Sequence, residues 1–287
     1  VTSYSGNKKG SVLLVEDNMT SVKIAKTDIN GQKEIPGAKL EIVDDQGNTA
    51  QMWNANDKKF VDAKWTSGSD PQEIVGLTGG KTYTLKETTA PQGYAVTTAT
   101  EFKLNEDGTV DATSVQYPTP VGTSGNLNGV LMVKDDMTTV SISKVDATGG
   151  QEVDGAQIEI VDSNGKTAQM WDASQDKFVD AKWTSDGSPK KIVGLTGGAT
   201  YTLRETTAPQ GYAVTTDTKF TLKKDGTVDT SSITANPTPI GVAGTALDGV
   251  LLVKDDMTVV KIAKTDINGQ KEVPGAELEI VDDQGNT

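Results

Sequence analysis

Residues 19–26 read Met-Thr-Ser-Val-Lys-Ile-Ala-Lys, and the pattern returns as Met-Thr-Thr-Val-Ser-Ile-Ser-Lys at 137–144 and Met-Thr-Val-Val-Lys-Ile-Ala-Lys at 257–264. The copies recur with a period of about 120 residues, which is the size of a domain. Alternating Val, Ile and Thr are typical of a half-buried β-strand. We therefore predict tandem domains, each of which opens with this strand.

Two further repeated segments indicate how each domain continues and ends. Residues 83–94, Tyr-Thr-Leu-Lys-Glu-Thr-Thr-Ala-Pro-Gln-Gly-Tyr, recur at 201–212 with arginine in place of the lysine. A shorter segment that begins Val-Leu and ends in Asp closes the domains at 12–17, 130–135 and 250–255. We predict the closing strand of a preceding module in 1–18, whole modules at 19–136 and 137–256, and the incomplete start of a third module at 257–287.

The rest of each module predicts an all-β fold. Short alternating apolar runs are separated by Gly, Pro, Asn and Asp, and residues 28–31, 45–48 and 106–109 have the composition of hairpin turns. Sustained helical periodicity is absent from the sequence. This pattern predicts a β-sandwich of about seven strands in each module. Only about three residues, 136–138, join the modules, so we expect a semi-rigid rod.

Composition excludes several classes of function. The formal net charge is −13, which makes nucleic acid and anionic membranes poor partners. The chain contains no Cys and no His, so disulfides, thiol nucleophiles, zinc sites and histidine bases are not expected. We predict no metal and no cofactor, and an enzyme acting on external substrates is disfavoured. No apolar run approaches the roughly 18 residues of a membrane helix.

Strand parity places one lysine and two acids of each module toward the core, because residues two apart in a strand share a face. In the first module these are Lys26, Glu87 and Asp135, each of which lies two and four residues after apolar side chains. An isolated charge in a core costs several kcal/mol, so the three groups are expected to neutralise one another. The second module repeats the set as Lys144, Glu205 and Asp255.

A buried set of this kind has reactive chemistry. Burial lowers the pKa of an amine and raises the pKa of a carboxylic acid. An uncharged amine is a nucleophile and a protonated carboxyl group is an electrophile. Lys26 could therefore condense with Asp135 and release water, with Glu87 relaying protons. The alternative is an unreacted buried ion pair, or a set of charges at the edge of the sandwich in contact with water.

These motifs resemble a known family. Val-Lys-Ile-Ala-Lys-Thr-Asp at 22–28, Pro-Gly-Ala at 36–38, the segment 83–94 and the closing segment 130–135 together resemble the B-type (Cna B-type) repeat of collagen-adhesin proteins. The resemblance implies an inverted immunoglobulin-like β-sandwich with an intramolecular isopeptide bond between Lys and Asn or Asp. It also implies a catalytic glutamate, and an extracellular location in cell-wall-anchored adhesins and pilins of Gram-positive bacteria.

The resemblance assigns a role to each member of the two sets. Many family members carry Asn as the acceptor, whereas here two aspartates stand together in each module. Parity favours the first aspartate of each pair, and Asp136 and Asp256 are the alternatives. The expected nucleophiles are Lys26 and Lys144, the catalysts Glu87 and Glu205, and the acceptors Asp135 and Asp255.

Two functions remain open at this stage. The first is a structural stalk module of a surface adhesin, stiffened by the cross-links, with neighbouring modules of the same chain as partners. The second is an adhesive module that binds a host glycan or matrix protein. Tryptophans can stack on sugars or simply pack across strands, and all four lie in one repeated segment that we interpret as a hairpin. They are Trp53, Trp65, Trp171 and Trp183.

Overall fold

The described part of the chain consists almost entirely of β-strands and turns. The computed structural model describes residues 2–3, 14–15, 17–115, 120–123, 125–148, 150–233, 240–241 and 248–287. Within these ranges the helical residues are two single 3-10 turns, Gly125–Leu127 and Thr230–Ser232. The predicted all-β class is confirmed. Thr2–Ser3 (β1) pairs with Leu14–Val15 (β2), while residues 12, 13 and 16 of the predicted first closing strand lie outside the described residues.

The first module contains two facing sheets and one hairpin. Its strands are Ser21–Asp28 (β3), Lys39–Val43 (β4), Gln51–Asn54 (β5), Lys59–Asp62 (β6), Lys64–Thr66 (β7), Gln72–Val75 (β8), Thr82–Thr89 (β9), Thr100–Lys103 (β10) and Leu131–Asp135 (β11). Seven of them form a four-stranded sheet, β10-β9-β4-β7, and a three-stranded sheet, β11-β3-β8. The strands β5 and β6 form a separate hairpin.

The second module repeats this plan with one additional short strand. Its strands are Thr139–Asp146 (β12), Gln157–Asp162 (β13), Gln169–Asp172 (β14), Lys177–Asp180 (β15), Lys182–Thr184 (β16), Lys190–Val193 (β17), Thr200–Thr207 (β18), Thr218–Leu222 (β19), Val228–Asp229 (β20) and Leu251–Asp255 (β21). The sheets are β17-β12-β21 and β16-β13-β18-β19-β20. The strands β14 and β15 form the hairpin.

Each module buries its own hydrophobic core between its two sheets. The first core contains Ile24, Leu40 and Phe102, and the second contains the matching Ile142, Ile158 and Phe220. The side chains of β9 alternate as the sequence predicts. Those that point inward are buried in the core, and those that point outward are partly or fully exposed. The two cores are separate clusters, so each module has a core of domain size.

The first predicted turn shows why the hairpins form where the sequence places them. Gly31 has a φ of 71°, which an L side chain rarely adopts, and its N–H donates to the Asp28 carbonyl at 2.8 Å. The Asp28 carboxylate accepts the backbone N–H groups of Gln32 and Lys33. Side-chain capping and a glycine together satisfy the polar backbone of the turn.

The opening and closing strands of each module are direct neighbours. The strands β3 and β11 pair in parallel, with Ile24 opposite Leu131 and Asp28 opposite Asp135. The strands β12 and β21 pair in the same way. Between β11 and β12 the structure has only residues 136–138, which is the linker length predicted. The chain therefore enters and leaves each module through one pair of adjacent strands.

Residues 257–287 do not repeat this arrangement. The sequence that matches the opening strand, 257–264, forms no strand here, and its side chains are exposed. Two isolated bridges join Met257 to Tyr212 and Thr265 to Glu272. A strand of this type buries its apolar face only against the rest of a module, and the described residues provide no such partner for 257–287.

We expect Phe102→Ala to lower the free energy of unfolding of the first module by about 3–5 kcal/mol, because the ring is 1% exposed and its removal leaves a cavity in the core. Phe60→Ala is the control, because Phe60 is 50% exposed and its loss should cost about 1 kcal/mol or less. Urea denaturation followed by NMR signals of the first module measures both. Equal losses for the two variants would contradict the packing described.

Candidate functional site

The three sequence-predicted residues of the first module meet between its two sheets. Lys26 lies on β3, Asp135 on the adjacent β11, and Glu87 on β9 of the facing sheet. All three are buried, and Lys26 is 1% exposed. The parallel register sets Lys26 opposite Val133, two residues before Asp135, so a long lysine side chain spans the offset. The inward alternation of all three strands thus brings the groups to one point.

The contacts in the first module are direct. Lys26 Nζ donates to Asp135 Oδ2 at 2.8 Å and lies 3.2 Å from both carboxylate oxygens of Glu87. Glu87 Oε2 also accepts the backbone N–H of Thr97 at 2.6 Å, which orients the carboxyl group. The amine therefore touches both acids, and one acid is held by the backbone.

The second module repeats the geometry with a small difference. Lys144 Nζ lies 2.7 Å from Asp255 Oδ2 and 3.1 Å from Glu205 Oε1, and Glu205 Oε2 accepts the N–H of Thr215 at 2.8 Å. Although these ion-pair distances are short, Lys144 Nζ lacks the angles of a hydrogen bond to either acid. The short distances make both contacts ion pairs, as in the first module.

Burial changes the acidity of the first set. It raises the pKa of Glu87 to about 7, even though the nearby Lys26 cation and the Thr97 N–H act in the opposite direction. It also raises the pKa of Asp135, again against the effect of Lys26. Both acids are thus more readily protonated than in water, which suits a proton relay and a carboxyl electrophile.

The second aspartate of each pair lies elsewhere. Asp136 and Asp256 are exposed, and the Asp136 carboxylate accepts the N–H of Met137. The carboxyl groups beside the two lysines belong to Asp135 and Asp255. Strand parity favoured Asp135 over Asp136 and Asp255 over Asp256, and these positions agree with it.

Sequence reasoning missed Thr97 and Thr215, whose backbone amides bind the two glutamates. A backbone donor carries no residue-type signal. The only available sign was that each threonine follows its glutamate by ten residues in both repeats.

The prediction that one hairpin carries the tryptophans is wrong for two of them. Trp53 lies on β5, opposite Phe60 of the hairpin, but Trp65 lies on β7 and pairs across to Leu40 in the four-stranded sheet. The cause is Ala63, which is fully buried and bends the chain inward between β6 and β7. Trp171 and Trp183 separate in the same way, onto β14 and β16.

The tryptophans therefore lie on two different surfaces. Trp65 packs against the core of the first module and Trp183 against the core of the second. Trp53 and Phe60 form an edge-to-face pair with ring centroids 5.4 Å apart, and Trp171 and Phe178 form one at 5.2 Å. Both are cross-strand aromatic pairs, the alternative to ligand contacts that the sequence left open.

The described ranges lack two other kinds of site. They contain no group of three or more Asp, Glu, His or Cys residues that could hold a metal ion. In the same part of the chain, no helix has the length and apolar character needed to cross a membrane.

The family of the chain follows from a family-model comparison. The model of the SpaA prealbumin-like fold domain matches residues 20–117 and 138–236, one copy in each module. The chain belongs to this family. The match includes both lysines and both glutamates of the buried sets, and it confirms the relationship expected from the opening and glutamate-bearing motifs. A comparison with curated proteins finds no match.

Solved structures with similarity to the chain include pilus proteins. The C-terminal fragment of pilus adhesin SpaC from Lactobacillus rhamnosus GG is 17% identical, with a TM-score of 0.41 over 85% of this chain and 100% of that one. The open conformation of SpaC is 18% identical with a TM-score of 0.40, over 85% of this chain and 32% of that one. A streptococcal ancillary pilin is 18% identical with a TM-score of 0.35, over 85% of this chain and 64% of that one.

In a module whose Lys26 and Asp135 have not yet reacted, we expect the Glu87 carboxyl group to titrate with a midpoint of about 7, because burial raises its pKa from 4.5. Below pH 4.5 the group is protonated in both folded and unfolded states, and its contribution to stability is fully present. That contribution is lost as the pH rises from 4.5 through about 7, because between these values the unfolded state ionises while the folded state stays protonated. Carbon-13 NMR of the carboxyl group measures the midpoint, and a value near 4.5 would contradict the burial described.

Proposed function

We propose that the chain is a structural stalk segment of a bacterial surface adhesin or pilus protein, in which each module forms its own amide cross-link. The observation that carries the proposal is the buried Lys26 amine, 2.8 Å from Asp135 and 3.2 Å from Glu87. The same arrangement in the second module supports it, because two independent cores hold the same costly set of groups.

The reaction balances within each module. A proton passes from Lys26 Nζ to the Asp135 carboxylate that it contacts, the nitrogen then attacks the Asp135 Cγ, and an N–C bond forms. Glu87 accepts a proton from the nitrogen and returns it to the departing hydroxyl group. The C–O bond breaks, one water leaves, and Glu87 ends in its starting state. Lys144, Glu205 and Asp255 do the same in the second module. Each bond forms once, so the protein modifies itself and is not an enzyme with external turnover.

The position of the bond gives it a mechanical role. Tension along the chain enters a module at the start of β3 and leaves at the end of β11, which are parallel neighbours and are therefore loaded in shear. A Lys26–Asp135 amide connects the two strands directly. Force then passes from the opening strand into the linker, and the residues between the two cross-linked positions carry none of it.

The bond also stabilises the folded module. Lys26 and Asp135 are separated by 109 positions, so the amide closes a long loop in the unfolded chain. In the entropy model used for disulfides, closing a loop of this size is worth about 4–5 kcal/mol. A chain without cysteine obtains by this route what disulfides give to other extracellular proteins.

The family match supports an extracellular location, which we propose to be the surface of a Gram-positive cell with anchoring to its wall. The neighbouring modules are the partners we propose. Binding of a host glycan or matrix protein is the weaker alternative, because the tryptophans that motivated it are divided between two surfaces.

We expect the wild-type chain, pulled from its two ends in a single-molecule force experiment, to show no extension of the first or second module. Asp135→Ala removes the acceptor, so the first module should unfold and lengthen by roughly 400 Å, at about 3.4 Å for each residue released. The adjacent Asp136→Ala is the matched control and should behave as wild type. Extension of wild-type modules by that length would refute the proposal, and a wild-type result for Asp135→Ala would refute the acceptor.

A further inference from the structure

The surface formed by Trp171 and Phe178 on the hairpin of the second module lies against the end of the first module. We refer to this pair, and to Trp53 and Phe60 in the first module, as the Trp–Phe face. Trp171 and Phe178 line a cleft together with Pro91, Tyr94 and Asp135 of the first module. The hairpin of one module therefore covers the end of the module before it.

The junction is held by backbone hydrogen bonds in both directions. The Gly197 N–H donates to the Tyr94 carbonyl at 2.9 Å, and the Val96 N–H donates to the Lys224 carbonyl at 2.7 Å. The Gly93 N–H donates to the Thr196 hydroxyl at 3.0 Å. These bonds connect the Ala-Pro-Gln-Gly-Tyr turn of the first module, and Val96 just after it, to loops of the second module. A flexible linker alone would make no hydrogen bonds between the modules.

Gly93 lies directly against the Phe178 ring of the second module. A Cβ placed on it would lie 2.7 Å from the Phe178 ring, so glycine is needed for contact as well as for its φ of 86°. The matching residue in the second module, Gly211, has a φ of 87° and no atom within 4 Å of the same position. The two turns share sequence and backbone shape, and only the first is covered by a Trp–Phe face.

The two module ends differ in the way this contact predicts. The cleft at the end of the first module has a volume of about 470 Å³. The corresponding cleft of the second module, lined by Pro209, Tyr212 and Asp255, has a volume of about 850 Å³ and no hairpin residue among its lining. The smaller cleft, beside Asp135, is the one whose lining includes the hairpin residues Trp171 and Phe178.

We propose that the Trp–Phe face is a docking surface whose partner is the Ala-Pro-Gln-Gly-Tyr turn and following linker of the module that precedes it. The face on the first module has the same residues, and its Phe60 is 50% exposed where Phe178 is largely covered. This surface therefore fits the same turn of a further module of this type. The hairpin is a joint between modules, and it sets their relative orientation.

Amide hydrogen exchange in the full chain tests the joint at the two amides that cross it, Gly197 and Val96. Phe178→Ala removes the ring that covers the turn, so exchange at both amides should rise roughly tenfold or more. Phe60→Ala is the control. It removes the matching ring from the Trp–Phe face of the first module, where Phe60 is 50% exposed, so both exchange rates should stay unchanged. The Ile160 amide, which donates to Ala181 within the second module, reports whether that module remains folded.

A second pair of variants gives an answer even if Phe178→Ala disturbs its own hairpin. Gly93→Ala and Gly211→Ala impose the same backbone strain, but only the first places a methyl group against Phe178. Gly93→Ala should therefore raise exchange at Gly197 and Val96, whereas Gly211→Ala should not. Equal rates for the two glycine variants would overturn the proposal, as would equal rates for the two phenylalanine variants with Ile160 still protected. None of these readouts depends on whether the cross-links form.

Discussion

An amine buried between two carboxyl groups is the constraint on which the rest of each module depends. Lys26 is 1% exposed and touches both acids, so any movement that separated it from them would leave a charge in the core. The three strands that supply the groups must therefore keep their register. If the amide forms, the constraint becomes covalent and the cost of burying the lysine and aspartate charges disappears, because an amide is neutral.

Strand periodicity made both the fold and this cluster predictable. A period of two assigns each side chain to a face, so Lys26 and Asp135 could be placed inward from their apolar neighbours alone. The repeats then supplied the domain plan. The parallel pairing of β3 with β11 was harder to predict from the sequence. These strands are far apart in the chain, and which of them become neighbours depends on the packing of the whole sandwich.

Features that depend on tertiary contact escaped prediction. Trp65 leaves the hairpin because buried Ala63 bends the chain, and nothing in the local pattern of alternation marks that bend. The backbone amide that holds Glu87 has no sequence signature. The covering of Gly93 by Phe178 joins residues of two modules, which periodicity within one module cannot reveal.

The mass of the intact chain under denaturing conditions tests the central claim most directly, because each lysine–aspartate condensation releases one water of about 18 Da. The account predicts a mass about 36 Da below that of the linear sequence, one water for each module. A mass equal to that of the linear sequence would contradict it, and would leave two buried sets of unreacted charges in place of two cross-links.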